Sequence, residues 1–214
     1  MTDFDDVKEK CDRYLFHNYG RIPVAFTHGE GCYLYGTDGR RYLDLVAGIA
    51  VNALGYAHPA WVAAVQEQAA RMAHVSNLYY VEQQGELAQR IAEIAPGDIS
   101  RTLFVNSGAE ANEAALKTAV KYTGRTKVLS ALNGFHGRTS ASLGATGQKI
   151  FQTGFEPLIS DAYEYFRFGD LESVKELMTK DVAALIVEPI QGESGVITAD
   201  PSFFKGVRDL CDDY

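Results

Sequence analysis

Residues 102–117, TLFVNSGAEANEAALK, join an apolar run to an alanine-rich segment through a short polar link. The apolar run predicts a strand over 102–105, and the alanine-rich segment predicts a helix over 109–122. Ser107 suits the helix N-cap, and Gly108 lets the backbone turn closely. The stretch therefore predicts a strand that leads directly into a helix.

The same alternation continues toward the C-terminus. Residues 127–132 are mostly apolar and residues 182–187 are apolar, and both runs predict strands, whereas 171–178 and 203–211 have helical spacing. Near-continuous apolar strands separated by helices are typical of a parallel sheet that is covered on both faces. We therefore expect the α/β class for this part of the chain.

The N-terminal part has a different pattern. Residues 32–45 contain two aromatic or apolar runs around the turn Gly36-Thr37-Asp38-Gly39, which predicts a β-hairpin. Apolar residues at helical spacing predict helices over 59–74 and 82–94. This region is expected to belong to a smaller unit beside the sheet.

Composition excludes several classes of protein. The net charge of −8 argues against a nucleic-acid partner, which requires a basic surface. Cys11, Cys32 and Cys211 are scattered and form no CxxC pair, so neither a disulfide framework nor a metal site is expected. Residues 1–10 are acidic and polar, and no stretch approaches the roughly 20 apolar residues of a membrane span. We expect a soluble, cytoplasmic protein.

The first candidate site is the predicted start of the helix at Ser107, Gly108 and Ala109. Free N–H groups and the positive end of the helix dipole would accept a phosphate there. Ser107 and Glu110 also have the S-x-x-E spacing of a capping box. These residues alone support phosphate binding and simple capping equally.

The second candidate is the stretch 133–139, NGFHGRT, in which two glycines bracket Phe135 and His136. An aromatic face on a glycine-flanked loop can stack on a flat cofactor ring. Arg138 could hold a carboxylate through two parallel hydrogen bonds. The alternative makes Phe135 a core residue and Arg138 a member of a surface ion pair.

The third candidate is the stretch 183–195, in which an apolar strand runs directly into Glu188 and Pro189 stops it. The carboxyl ends of parallel strands are where open α/β sheets place their ligands. Glu188 is therefore a site candidate, although it and Glu193 could also be capping or solvated residues.

These stretches together resemble the class III aminotransferases of the ornithine and acetylornithine type. The similarity covers nearly the whole chain, and the order and spacing of the motifs are more specific than any single motif. Tyr56 and Ser194 depart from the pattern, since the family often has histidine and a small Gly or Ala there. The matching motifs are NYGRIPV (18–24), GIAVNALGYAHP (48–59), HVSNLYY (74–80), NSGAEANEAALK (106–117), GFHGRT (134–139), ATGQ with GFEPL (145–158) and VEPIQGESG (187–195).

The resemblance implies a partial fold type I transferase that uses pyridoxal 5'-phosphate. Residues 1–50 would form the N-terminal segment of a small domain that contains the hairpin. Residues 51–214 would form an incomplete large domain around the parallel sheet. The implied cofactor contacts are the backbone of Ser107, Gly108 and Ala109 at the phosphate, Phe135 stacked on the ring with His136 beside it, and Glu188 near the ring substituents.

Three further residues are implied to contact substrate. Arg138 would hold the α-carboxylate, and Tyr19 would reach toward the substrate from the N-terminal segment. Glu193 resembles the family's switch glutamate, which neutralises a second arginine when the amino donor binds. None of the nine lysines matches the family's Schiff-base lysine, and Asp212 and Asp213 do not match its ring-nitrogen aspartate.

The resemblance implies transfer of an amino group from N-acetylornithine to 2-oxoglutarate in arginine biosynthesis, by a homodimer. Related enzymes that use ornithine, succinylornithine or 4-aminobutyrate stay open, as does a non-catalytic short binding protein. A Rossmann-type nucleotide binder is disfavoured because no GxGxxG follows the first strand. We expect the chain to be a fragment that is inactive alone, with exposed apolar patches that make it poorly soluble or loosely folded.

Overall fold

The computed structural model describes residues 3–214. The chain divides into two compact units, the first ending at Gly85 and the second running from Glu86 to Tyr214. The boundary after residue 50 expected from the sequence lies inside the first unit, and the assignment of 51–214 to one cofactor-binding domain stays a prediction. None of the helices described is long and apolar enough to cross a membrane.

The first unit contains a small antiparallel sheet of order β1-β2-β3. The predicted hairpin is confirmed as the second and third of these strands, with Gly39 at φ +76° in the connecting turn. The first strand, which pairs with the second, was not predicted. The strands are β1 (Phe26–Glu30), β2 (Tyr33–Gly36) and β3 (Arg41–Leu43).

Three helical segments accompany this sheet, and a fourth helix starts in the first unit and continues into the second. The helices predicted over 59–74 and 82–94 are confirmed, with the former ending three residues early. The four are α1 (Phe4–Tyr14), α2 (Ala47–Ala50), α3 (Pro59–Arg71) and α4 (Glu82–Ile94). The sequence did not predict α1 and α2.

The single turn α2 is left-handed. Ala47, Gly48, Ile49 and Ala50 have φ values of +50°, +66°, +62° and +62°. The Asp44 carboxylate accepts hydrogen bonds from the N–H groups of residues 46 and 47 at 2.9 and 3.0 Å, and from a tyrosine hydroxyl at residue 56 at 2.6 Å. These bonds fix the start of the turn.

The second unit is built on a parallel sheet of order β5-β4-β6, which confirms the predicted α/β class. A short antiparallel ribbon follows the third of these strands. The strands are β4 (Lys127–Ala131), β5 (Tyr163–Phe166), β6 (Val182–Ile186), and the ribbon pair β7 (Ile190–Gln191) and β8 (Ile197–Thr198). The helices are α5 (Gly108–Thr123), α6 (Ser140–Ala145), α7 (Lys149–Gln152), α8 (Leu171–Leu177) and α9 (Pro201–Asp213), with a 3₁₀ turn at Glu156–Leu158.

Helices cover both faces of this sheet, so its central strand β4 is buried on both sides. Leu129 and Ala131 belong to the larger core, which α8 and α9 cover through Val174 and Phe203. Val128 belongs to the smaller core on the opposite face, with residues of α5 and α6. The alternation along β4 follows from the two-residue period of a strand.

The strand predicted over 102–105 is not formed among the described residues. This stretch pairs with neither edge of the sheet, and Leu103 is 68% exposed. An apolar run predicts burial, but a strand also needs a neighbour with free N–H and C=O groups. Tyr122 on α5 is also exposed, so an apolar surface runs along this side of the second unit.

Candidate functional site

Two loops meet at the carboxyl ends of β4 and β6, which is where an open α/β sheet places its ligands. The loop after β4 covers residues 132–139, and the loop after β6 covers residues 187–195. The Gln191 amide, which is 1% exposed, donates a hydrogen bond to the carbonyl of Leu132 at 2.9 Å. The two loops are thus held together by a buried polar contact.

Glu188 and Phe135 form a second contact between these loops. The backbone N–H of Phe135 donates to the Glu188 carboxylate at 3.0 Å. The Phe135 ring meets Phe151 edge to face, with ring centroids 5.5 Å apart. The structure therefore brings these two predicted site residues together, and Phe135 is only half-buried, which leaves part of its ring accessible.

The start of α5 has the geometry of a capped helix. Ser107 is the N-cap, and its hydroxyl accepts a hydrogen bond from the N–H of Glu110 at 3.1 Å. The Glu110 carboxylate accepts from the backbone and side chain of Asn106 at 2.7 and 3.0 Å. The N–H groups of Gly108 and Ala109 have no carbonyl within the helix to bond, because they belong to its first turn. Ser107 therefore caps the helix, and anion binding at the N–H groups of its first turn stays a prediction.

Gly137 brings the loop after β4 against the start of α5. A Cβ added to Gly137 would lie 2.8 Å from the Ala109 Cβ and 2.5 Å from the Ser142 hydroxyl, and the backbone there has φ +129°. Only glycine can take this conformation at this distance from the helix. The predicted phosphate loop and the predicted aromatic loop are therefore neighbours.

His136 is buried, with 6% of its surface exposed. Its N–H donates to the Thr146 hydroxyl at 3.0 Å, whereas its Nε2 atom has no hydrogen-bond partner within residues 3–214. Burial lowers the pKa of His136 below its usual value of 6.5, so the ring is neutral at pH 7. The structure places this ring inside the loop.

Glu113 on α5 holds the start of α6. One carboxylate oxygen accepts hydrogen bonds from the Thr139 hydroxyl at 2.6 Å and from the N–H groups of Ala141 and Ser142 at 2.8 and 3.1 Å. Burial by itself would raise the pKa of Glu113, but these hydrogen bonds outweigh it and lower the pKa below 4.5. Glu113 is therefore a carboxylate at neutral pH.

The three predicted substrate residues lie in different settings. Arg138 is exposed on the loop after β4, and Glu193 accepts a hydrogen bond from the Gln148 amide at 2.6 Å. Tyr19 is 56% exposed and belongs to the first unit. The roles of all three stay predictions.

Four polar residues of the site were not identified from the sequence. They share a function as connectors: each bonds a residue at least 15 positions away. In the sequence, such a residue could have been found as a polar side chain within an alanine-rich helix, as in α5, or as a polar side chain next to a glycine. The four are Asn112, Glu113, Gln148 and Gln191. No cluster of three or more metal-ligating side chains occurs in the part of the chain that the structure describes.

Comparison with known proteins agrees with this architecture. The family model described as Aminotransferase class-III matches residues 14–214. The chain therefore belongs to the class III aminotransferases. An acetylornithine aminotransferase of Methanopyrus kandleri is 46% identical over 209 residues, which cover 98% of this chain and 54% of that protein.

Solved structures give the same result. An ornithine aminotransferase of Toxoplasma gondii superimposes with a TM-score of 0.91 at 30% identity, covering 100% of this chain and 52% of that chain. A taurine:2-oxoglutarate aminotransferase of Bifidobacterium kashiwanohense, in complex with PLP and glutamate, superimposes with a TM-score of 0.93 at 26% identity, covering 100% of this chain and 54% of that chain. The fold is thus a partial fold type I transferase, and the family and this relative indicate pyridoxal phosphate as the cofactor. The chain spans about half the length of the relatives that it matches.

Proposed function

We propose that the protein transfers an amino group from N-acetylornithine to 2-oxoglutarate, with pyridoxal phosphate as cofactor, as a step of arginine biosynthesis. N-acetylornithine is proposed as the amino donor because curated relatives with 40–46% identity are named acetylornithine aminotransferase. We further propose a homodimer in the cytoplasm, in line with the resemblance.

The observation that carries the proposal is the close approach of Gly137 to Ala109. It sets the first N–H groups of α5 beside a loop that carries an aromatic ring and an arginine. A phosphorylated, aromatic cofactor needs both kinds of contact at once. The half-buried Phe135 ring and the Nε2 atom of His136, which has no hydrogen-bond partner among the described residues, also fit a planar, polar group bound against this loop.

The residues of this chain then have the following roles. Gly108 and Ala109 donate backbone N–H groups to the cofactor phosphate, and Phe135 lies against the cofactor ring. Glu188 fixes the Phe135 backbone and stays near the ring. When bound, pyridoxal phosphate supplies an electron sink for bond cleavage at the substrate α-carbon.

Arg138 is proposed to bind the α-carboxylate of the amino or keto acid, since a guanidinium matches a carboxylate in two parallel hydrogen bonds. Glu193 is proposed to be the switch glutamate that neutralises a second arginine when the amino donor binds, and Tyr19 is proposed to reach toward the substrate. The chain's own contribution is therefore binding and orientation: none of its nine lysines matches the family's catalytic context.

The reaction is tested with the full-length parent protein, because no lysine of this chain matches the family's catalytic context. The parent is incubated with 2-oxoglutarate and, separately, N-acetylornithine, ornithine, succinylornithine or 4-aminobutyrate, and glutamate is measured. We expect the highest kcat/KM with N-acetylornithine. Activity with 4-aminobutyrate alone would contradict the proposed donor.

The carboxylate role is tested with Arg138→Gln. This change should raise the KM for 2-oxoglutarate about 10- to 100-fold, because hydrogen bonds to a charged group are lost. The matched control is Arg208→Gln, which removes an exposed arginine that pairs with Asp212 on α9. An equal effect of both changes would argue against a carboxylate site at Arg138.

A further inference from the structure

We infer that Asn112 and Glu113, adjacent residues on α5, are the positioning residues that hold Arg138 in place. The inference rests on the proposed function, because Arg138 is its carboxylate-binding group. Arg138 lies on the loop between β4 and α6, where it is exposed and where a free loop would let its backbone move. Two sets of contacts with α5 restrain that loop on both sides of Arg138.

The first restraint lies before Arg138. The Asn112 amide donates a hydrogen bond to the carbonyl of His136 at 2.7 Å, across 24 residues of sequence. Asn112 is half-buried, so this bond is only partly open to competition from water. The Thr146 hydroxyl also donates to the carbonyl of Gly137 at 3.0 Å. The two residues before Arg138 are therefore fixed through their carbonyl groups.

The second restraint lies after Arg138. Glu113 accepts from the Thr139 hydroxyl and from two N–H groups in the first turn of α6. A carboxylate that accepts several hydrogen bonds, with the helix dipole pointing at it, makes a stronger contact than a neutral amide could. The lowered pKa of Glu113 agrees with this, since it keeps the side chain charged at neutral pH.

The Asn112 and Glu113 contacts both start from α5, the helix that begins at the proposed phosphate site. Asn112 and Glu113 follow Gly108 and Ala109 by four residues, which is about one helical turn and puts each pair on the same side of α5. The spacing between a bound phosphate and a carboxylate held by Arg138 would then be set by one rigid helix. Glu113 and Asn112 act through Arg138 and need no contact with the substrate.

The test is a double-mutant cycle with 2-oxoglutarate as the probe and calorimetry as the measurement of Kd. Glu113→Gln, which keeps the size of the side chain, should weaken binding about tenfold in the wild-type background. In the Arg138→Gln background the same change should alter Kd by less than about twofold, because non-additivity marks residues that act as a unit. Glu172→Gln, which removes an exposed carboxylate on α8, is the matched control.

Where the wild type binds 2-oxoglutarate, equal weakening by Glu113→Gln in both backgrounds, or none in either, would overturn the inference. A second measurement needs no ligand: nitrogen-15 relaxation of the Arg138 Nε–H group, in the wild type, Glu113→Gln and Asn112→Ala. Both variants should increase the mobility of this group, and unchanged mobility would overturn the inference. If the wild type fails to bind 2-oxoglutarate while Glu113→Gln still loosens Arg138, the proposed function fails and the positioning role stands.

Discussion

Replacing Gly137 by alanine tests the close approach between the loop after β4 and α5. The new Cβ would meet the Ala109 Cβ at 2.8 Å and the Ser142 hydroxyl at 2.5 Å. Its φ of +129° also lies where side chains are strained, which costs about 2 kcal/mol. The overlap adds about 2 kcal/mol more, since the neighbours are a helix start and a buried serine. The expected loss of unfolding free energy is therefore about 4 kcal/mol.

Gly195→Ala is the matched control. Its φ of +119° gives a similar strain, but no atom of residues 3–214 lies within 4 Å of the added Cβ, so only about 2 kcal/mol should be lost. Urea unfolding followed by circular dichroism measures both. With a slope of about 2 kcal/mol per molar urea, the midpoint should fall by about 2 M for Gly137→Ala and about 1 M for Gly195→Ala. Equal shifts would refute the reasoning that the contact with α5 excludes a side chain.

Three other predictions concern stability and titration. The hydrogen bonds that lower the pKa of Glu113 below 4.5 stabilise the fold when this side chain is charged, above about pH 4.5. This stabilisation is lost as the pH falls through the lowered pKa of Glu113 in the folded state. Glu113→Gln should flatten that part of the curve of unfolding free energy against pH, and an unchanged curve would argue against the network. Burial, with smaller effects of nearby charges, raises the pKa of Tyr163 from 10.0 to about 12, so its contribution to stability is lost as the pH rises between these values. Spectrophotometric titration should show a late tyrosine ionisation that Tyr163→Phe removes. Gln191→Ala should cost about 2 kcal/mol in urea unfolding, because the Leu132 carbonyl loses its donor; no change would contradict that role.

The sequence predicted the elements whose signal is local. The helix α5 has a serine cap, a long alanine-rich body and a glycine at its end, and its predicted bounds differ from the observed ones by one residue at each end. The strand β6 is an apolar run, and β4 is mostly apolar. In each case the residues themselves carry enough information, because capping and burial depend on neighbours in the chain.

The missed elements depend on partners far away in sequence. The strand β5 is only four residues long and contains a charged glutamate, so its pattern does not stand out from a loop. The glutamate is held by Lys127 on β4 at 2.7 Å, a contact that no local pattern predicts. The run at 102–105 is the opposite case, since its apolar residues predict a strand but pair with no strand in the part of the chain that the structure describes.

The same distinction holds for the candidate site. The motif residues Ser107, Phe135 and Glu188 were identified because each follows or starts a regular element. The connectors Asn112 and Glu113 were not, because their bonds reach 24 to 29 residues along the chain. The sequence therefore pointed to the residues that are proposed to contact ligands, but not to the residues that hold their loops in place.

The left-handed turn α2 has a consequence for local opening of the first unit. Three of its residues, Ala47, Ile49 and Ala50, have a side chain in a conformation that costs about 1–2 kcal/mol per residue. Opening the turn would release about 3–6 kcal/mol of strain, so its amide protons should exchange with solvent sooner than those of the adjacent sheet. The Asp44 carboxylate accepts hydrogen bonds both from the start of the turn and from the Tyr56 hydroxyl, so loss of the Tyr56 bond should make opening of the turn easier. Tyr56→Phe should therefore speed exchange at the turn while leaving the sheet protected.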